Sequence, residues 1–487
     1  MLFQSFGFLI FFPLVVLLYY VLPRKFRAPW LLLASCFYYV CWDWRYLGFL
    51  LFSTLSTWAA GRALGAGKGK KKLILALCLA VNLGILAVFK YARFAVGTVN
   101  LLLARAGLRA VPDGFSLLLP VGISFYTLQV SGYLIDVYRG KLPPEKNLLT
   151  YALFVSFFPQ LLSGPIGRGE GLLPQLREPK PFDYERVRSG LLRMLWGLFV
   201  KLVITERLAV LADTVFNAPQ KYEGIILVLA AAAYGLQIYC DFSSYSSLAV
   251  GAGEVLGVEL IENFKTPYFS LSVAEFWRRW HISLSSWFRD YLYIPLGGSR
   301  RGKLRKYRNV LIVFAVSGLW HGASWTFVIW GLLNGLLQVI GDITGEFRTW
   351  LAGLLKIDRE NWGSRFFRML ITFLLVDFCW IFFRAPDLTT ALTFLRRLPV
   401  FNPMVLYNGA LLKLGLDGAN LTVLLLALGV QLGVSIANYR GITVRRKLTE
   451  QGLVFRWAGI LLGIFAVLVF GMYGPAYNAA SFIYAKF

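Results

Sequence analysis

Histidine is nearly missing from this sequence: among 487 residues there are two, His281 and His321. The sequence shows no metal-ligand cluster beyond these two imidazoles, and no metal is expected. Cysteine is scarce as well. Cys36, Cys41, Cys78, Cys240 and Cys379 lie scattered in apolar segments with no C-x-x-C pair, which excludes a disulfide framework and a zinc site. Three phosphate- or nucleophile-positioning motifs are also absent: the Rossmann glycine pattern, Walker A and G-x-S-x-G. Charged residues make up only 15% of the chain.

What is present is apolar. Hydrophobic residues account for 57% of the chain and its mean hydropathy is +0.62. The apolar runs are continuous, not alternating, so they read as membrane-spanning helices and exclude a β-barrel. The fold class is an all-α polytopic integral membrane protein. A net charge of +25 would point to nucleic acid in a soluble protein. Here the basic residues gather in short loops, at 68–72, 300–303 and 445–447, as the positive-inside rule expects of cytoplasmic loops. Nucleic acid is therefore not an expected partner, and membrane lipids are. The start, Met1 to Leu22, lacks a basic leader and a cleavage site, and reads as a retained first span.

Spans are expected near 8–22, 30–42, 47–60, 73–91, 151–165, 191–211, 225–256, 310–340, 366–383, 421–436 and 457–473. Between 115 and 138 the apolar run is interrupted by Pro120 and Gly122, which predicts a broken helix. The polar connection from Arg168 to Arg188, with Pro174, Pro179 and Pro181, is expected on the cytoplasmic surface. These segments give about eleven to thirteen crossings or half-crossings. No linker splits the chain, so residues 1–487 are expected to form one membrane-embedded domain, with a core at about 115–340 flanked by 1–114 and 341–487.

Two stretches carry the chemistry: Phe276-Trp277-Arg278-Arg279-Trp280-His281, running on to Asp290, and Leu319-Trp320-His321-Gly322. An ionisable group at membrane depth is costly and marks a functional site by default. On a helix, Trp277, Trp280, His281, Leu284 and Phe288 would line one side while Arg278, Ile282, Ser285 and Arg289 line another. Asp241, in the middle of a long apolar run, reads equally well as a catalytic group and as a carboxylate satisfied by a neighbouring arginine or by hydroxyls. With the other motifs absent, imidazole acid/base or nucleophilic chemistry remains, and acyl transfer to a hydroxyl is its common form.

The segments 275–285, 289–298 and 319–322, with Tyr133-Leu134-Ile135-Asp136-Val137-Tyr138-Arg139-Gly140, Phe158-Pro159-Gln160-Leu161-Leu162-Ser163-Gly164-Pro165 and Phe482-Ile483-Tyr484, resemble the membrane-bound O-acyltransferases. The likeness is strongest to their alginate O-acetyltransferase branch, and teichoic-acid D-alanyl transferases are more distant relatives. Three departures stand out from that branch: Glu275 in place of an aspartate, Ser247 in place of a second carboxylate, and Ala485-Lys486-Phe487 at the end. The resemblance implies a ring of helices around a central funnel, with His321 catalytic and His281 the second active-site residue. Trp277, Trp280, Trp320, Asp241, Arg279, Ser285 and Asp290 are the expected supporting or substrate-binding residues. It also implies a bacterial cell-membrane location, an acyl-CoA or acyl carrier protein thioester as donor, no bound cofactor, and an extracytoplasmic acetyltransferase or polymer-modifying partner. The expected activity is O-acetylation of an exported, alginate-like polysaccharide. D-alanyl transfer to teichoic acid, and transport of a lipid-linked or acylated precursor without chemistry, are the alternatives.

Overall fold

The computed structural model describes residues 1–67, 70–112 and 119–473. Lys68, Gly69, Phe115 and the motifs at 482–487 lie outside the described residues. Helices make up the regular structure and no strand occurs among the described residues. Six helices are long and apolar enough to cross a membrane: Lys71–Arg105, Ile225–Val255, Trp325–Ile343, Trp362–Arg384, Gly418–Tyr439 and Leu453–Phe470. Phe6–Val21 is apolar but shorter. The chain is a multi-pass membrane protein.

It divides into two compact units. One holds Met1–Leu191 and Leu248–Ile261, the other Leu192–Ser247 and Glu262–Asn478. In the first, the helix Ile123–Tyr138 is buried on nearly every side, its polar Ser124, Thr127, Gln129 and Ser131 included. Of the broken helix expected at 115–138, residues 113–118 lie outside the described residues, and the described part begins at the turn before Ile123. Gly122 takes φ 80° directly before this helix, and a Cβ there would meet the Leu161 carbonyl oxygen at 2.7 Å. Tyr38, Tyr39, Tyr133, Tyr151, Phe154, Phe157 and Phe158 form an aromatic core, and Tyr151 donates its hydroxyl to Thr57 at 2.8 Å. Within the polar connection, the short helix Gly169–Arg177 buries Leu172, Leu173 and Leu176, and Arg177 pairs with the buried Glu145. That connection is packed into the unit and is more than a surface strap.

In the second unit, the expected continuous span 310–340 is two helices, Lys303–His321 and Trp325–Ile343, joined by Gly322-Ala323-Ser324. Gly322 takes an extended φ of −163° and ends the first helix, and the Ser324 hydroxyl caps the second by accepting the Thr326 N–H at 3.3 Å. The pair packs backbone to backbone. A Cβ on Gly318 would lie 2.2 Å from the Phe327 carbonyl oxygen, and one on Gly331 would lie 2.2 Å from that of Phe314. Small residues at a helix crossing allow this approach.

Candidate active site

The second unit brings the two histidines into one aromatic cluster. The 276–290 stretch is not one helix, because it breaks at its histidine. Val273–Arg279 ends, Trp280 is extended, and His281 adopts φ 44°, ψ 54° as the residue preceding Ile282–Phe288. The cause lies upstream at Asn263, which is fully buried. Its carbonyl accepts the Ile282 N–H at 3.0 Å, and its side-chain oxygen accepts the Ser283 N–H at 3.1 Å. Those are two of the orphan donors at the start of the helix. A left-handed conformation costs an L residue about 1–2 kcal/mol, while two satisfied buried donors contribute about 0.5–1.5 kcal/mol each. The clamp thus offsets the strain, and strain of this kind clusters at functional sites.

His321 is the last residue of its helix. Its ring meets Trp320 at 4.9 Å, Trp330 at 5.0 Å and Phe383 at 5.4 Å between centroids, each edge to face. Aromatic pairs of this geometry contribute about 0.5–1.5 kcal/mol apiece, so three of them fix the ring at least as firmly as one hydrogen bond. His281 packs edge-on to Phe242 at 4.6 Å and to Trp320 at 6.2 Å. Trp320 therefore touches both imidazoles. The histidines are 1% and 2% exposed, so the water around them is largely excluded.

Trp277, Trp280, Trp330 and Trp380 complete the cluster, with Trp330 stacked on Trp380 at 5.6 Å and Trp280 5.2 Å from Trp380. The Trp277 indole donates to Asn334 at 3.1 Å, and Asn334 donates to the Trp330 carbonyl at 2.9 Å. Trp277 thus acts as scaffold. Ser285 donates to the Trp280 carbonyl at 3.2 Å, reinforcing the break. Asp290 pairs with Arg289 at 2.8 Å in a π-helical turn. Arg279 pairs with Glu275 at 2.7 Å and stands 5.5 Å from the Tyr439 ring. Asp241 has a lysine as a partner. Lys201 bridges Asp241 and Glu206 at 2.7 Å each, with all three buried. Lys201 sits in the π-helical segment Val200–Thr205, which interrupts the expected 191–211 span. The next residue on the same helix, Phe242, carries the ring against which His281 rests.

Lys201, Asn263, Asn334, Trp330, Trp380 and Phe383 are additions that the sequence reading did not name. Intramembrane polarity was a usable signal for Lys201 and Asn334. The three aromatic residues carried none. Beside the cluster lies a cavity of about 1290 Å³, lined in part by Tyr239, Phe264, Arg279 and Gln431 but by neither histidine. Phe264 separates it from the site, 5.1 Å from both Phe242 and Trp280. No group of three or more metal-ligating side chains occurs among the described residues.

Residues 141–376 match the family model described as MBOAT, membrane-bound O-acyltransferase family. A probable alginate O-acetylase AlgI of Azotobacter vinelandii is 40% identical over 397 residues, covering 80% of this chain and 76% of the relative. A peptidoglycan O-acetyltransferase of Helicobacter pylori is 35% identical over 423 residues, covering 79% and 77%. A teichoic acid D-alanyltransferase of Streptococcus thermophilus is 31% identical over 267 residues, covering 50% and 61%. These likenesses decide between enzyme and transporter in favour of the enzyme. The chain belongs to the membrane-bound O-acyltransferase family and is an O-acyltransferase.

Proposed function

We propose that this enzyme transfers an acetyl group from a cytoplasmic thioester, carried by coenzyme A or an acyl carrier protein, to a hydroxyl of an exported polysaccharide in a bacterial cell membrane. The observation that carries this reading is the joining of the chain's two histidines through Trp320 in a nearly water-free aromatic pocket. His321 acts as general base. It takes the acceptor's hydroxyl proton as that oxygen attacks the thioester carbonyl, and returns a proton to the thiolate when the carbon–sulfur bond breaks. The ring stands at a helix C-terminus, where the backbone dipole favours the positive charge it carries between those steps. His281 supports the charge developing on the carbonyl oxygen. The donor enters from the side of the basic segment Arg300 to Arg308, and an extracytoplasmic partner brings the polymer hydroxyl to the site.

The relatives named as alginate O-acetylase and as peptidoglycan O-acetyltransferase both favour acetyl as the transferred group, and the first is the more similar. An alginate-like uronate polymer is therefore our first choice of acceptor and peptidoglycan the second. Ester-linked acetate in exopolysaccharide and in peptidoglycan, measured with and without the gene and with His321→Ala in its place, tests this. Loss of acetate from the exopolysaccharide in both the deletion and the variant is expected. Loss confined to peptidoglycan selects the second acceptor, and unchanged acetate in both polymers refutes the reading.

A further inference from the structure

The cavity beside the aromatic cluster has a layout that acetyl transfer does not require. Its wall on the helix Gly418–Tyr439 changes character along the axis. Val423, Leu426, Ala427 and Val430 come first, then Gln431 and Ser435, then Asn438 and Tyr439 at the end. From Val423 to Asn438 the rise is about 22 Å, against about 15 Å for half of a bilayer's hydrocarbon core. Across from the first group stand Phe199, Val203, Ala466 and Phe470. Gln431 has a buried amide oxygen with no hydrogen-bond partner among the described residues. At the polar end the charged lining residues are Arg193, Lys265, Arg279 and Arg445 against one carboxylate, Glu262. Arg193 pairs with Glu262, and Lys265 and Arg445 also act on that carboxylate electrostatically. Arg279 pairs with Glu275, so four basic side chains face two carboxylates and the mouth keeps an excess of positive charge. It adjoins the basic segment Arg445-Arg446-Lys447, which the positive-inside rule places in the cytoplasm.

We propose that this groove is a binding site for one anionic phospholipid of the cytoplasmic leaflet. The phosphate sits among Lys265, Arg445 and Arg193, the glycerol esters lie at the level of Gln431 and Ser435, and an acyl tail runs along Val430, Leu426 and Val423. Charge excess selects an anionic headgroup over a zwitterionic one, since each basic side chain near an anionic lipid surface contributes attraction. A two-carbon acyl group leaves the long apolar run unused, which is why the occupant is a lipid and not the donor. The bound lipid buttresses Phe264, and through it Phe242 and His281.

The test uses the purified full-length protein in detergent, delipidated and titrated with phosphatidylglycerol or phosphatidylcholine, with bound lipid counted by native mass spectrometry. One equivalent of phosphatidylglycerol, held at least tenfold more tightly than phosphatidylcholine, is expected. Lys265→Gln/Arg445→Gln should lose that preference. Leu426→Trp should reduce binding of both lipids by filling the apolar run, and a monodisperse gel-filtration peak checks that each variant is folded. Equal affinity for the two lipids, or unchanged binding in the folded double variant, overturns the proposal. So does displacement of the lipid by acetyl-coenzyme A, which makes the groove the donor site. The choice of lipid over donor rests on the acetyl reading proposed above, but lipid is counted without turnover, so failure of lipid binding and failure of acetyl transfer are read separately.

Discussion

At His281 the backbone and the imidazole can be separated experimentally. The left-handed φ of 44° strains any residue with a Cβ. His281→Gly should therefore be more stable than His281→Ala by up to about 1–2 kcal/mol and melt at a higher apparent temperature, although both lose the ring. Thermal unfolding of the two variants in detergent checks this, and equal midpoints would show that the turn is not strained. Asn263→Ala removes one of the two clamping acceptors and leaves the buried Ser283 N–H unsatisfied, at a cost of about 1–3 kcal/mol. The two Trp-His pairs were legible in the sequence because histidine is so rare in it. The turn that presents His281 was not, because its cause, Asn263, lies 18 residues upstream, well beyond the three- and four-residue spacings that a helical pattern inspects.

Elements show the same division between local and distant causes. Apolar length predicted the span 225–256, and the helix runs Ile225–Val255. Length alone merged Lys303–His321 with Trp325–Ile343, since Gly322 and Ser324 interrupt an otherwise unbroken apolar run. Their crossing depends on absent side chains. Gly318→Ala and Gly331→Ala place a Cβ against backbone oxygen and should each cost about 1–3 kcal/mol. Gly341→Ala has open space around it and should be nearly neutral by the same thermal assay. If all three behave alike, the crossing does not govern stability. The partner of Asp241 was equally hidden, because Lys201 lies 40 residues away on another helix. Lys201→Met strands two buried carboxylates and should cost about 3–5 kcal/mol, whereas Asp241→Asn, which keeps Lys201 paired with Glu206, should cost less.

For the whole molecule, composition was enough to set the class: apolar runs made it a multi-pass membrane protein, and the placement of lysine and arginine set an orientation. That orientation is open to direct measurement. Lys303 is exposed in the basic turn between the two histidines. With the exposed Cys41 replaced by serine, Lys303→Cys should react with an impermeant maleimide in inside-out vesicles and stay unlabelled in intact spheroplasts. The reverse pattern would place the turn, and with it the proposed donor entry, on the outer side. The family was legible from its histidine motifs, whereas the chemistry assigned to His321 requires a reaction to be observed.

The most direct measurement is the initial rate of acetyl transfer from a labelled thioester donor by the purified protein in lipid nanodiscs. Wild type is compared with His321→Ala, His281→Ala and Gly341→Ala at matched, folded concentrations. A general base typically contributes about 10²–10⁴-fold. The account predicts a loss of that size for His321→Ala, a smaller loss for His281→Ala and a wild-type rate for Gly341→Ala. A His321→Ala rate within about threefold of wild type, far short of that range, would contradict it.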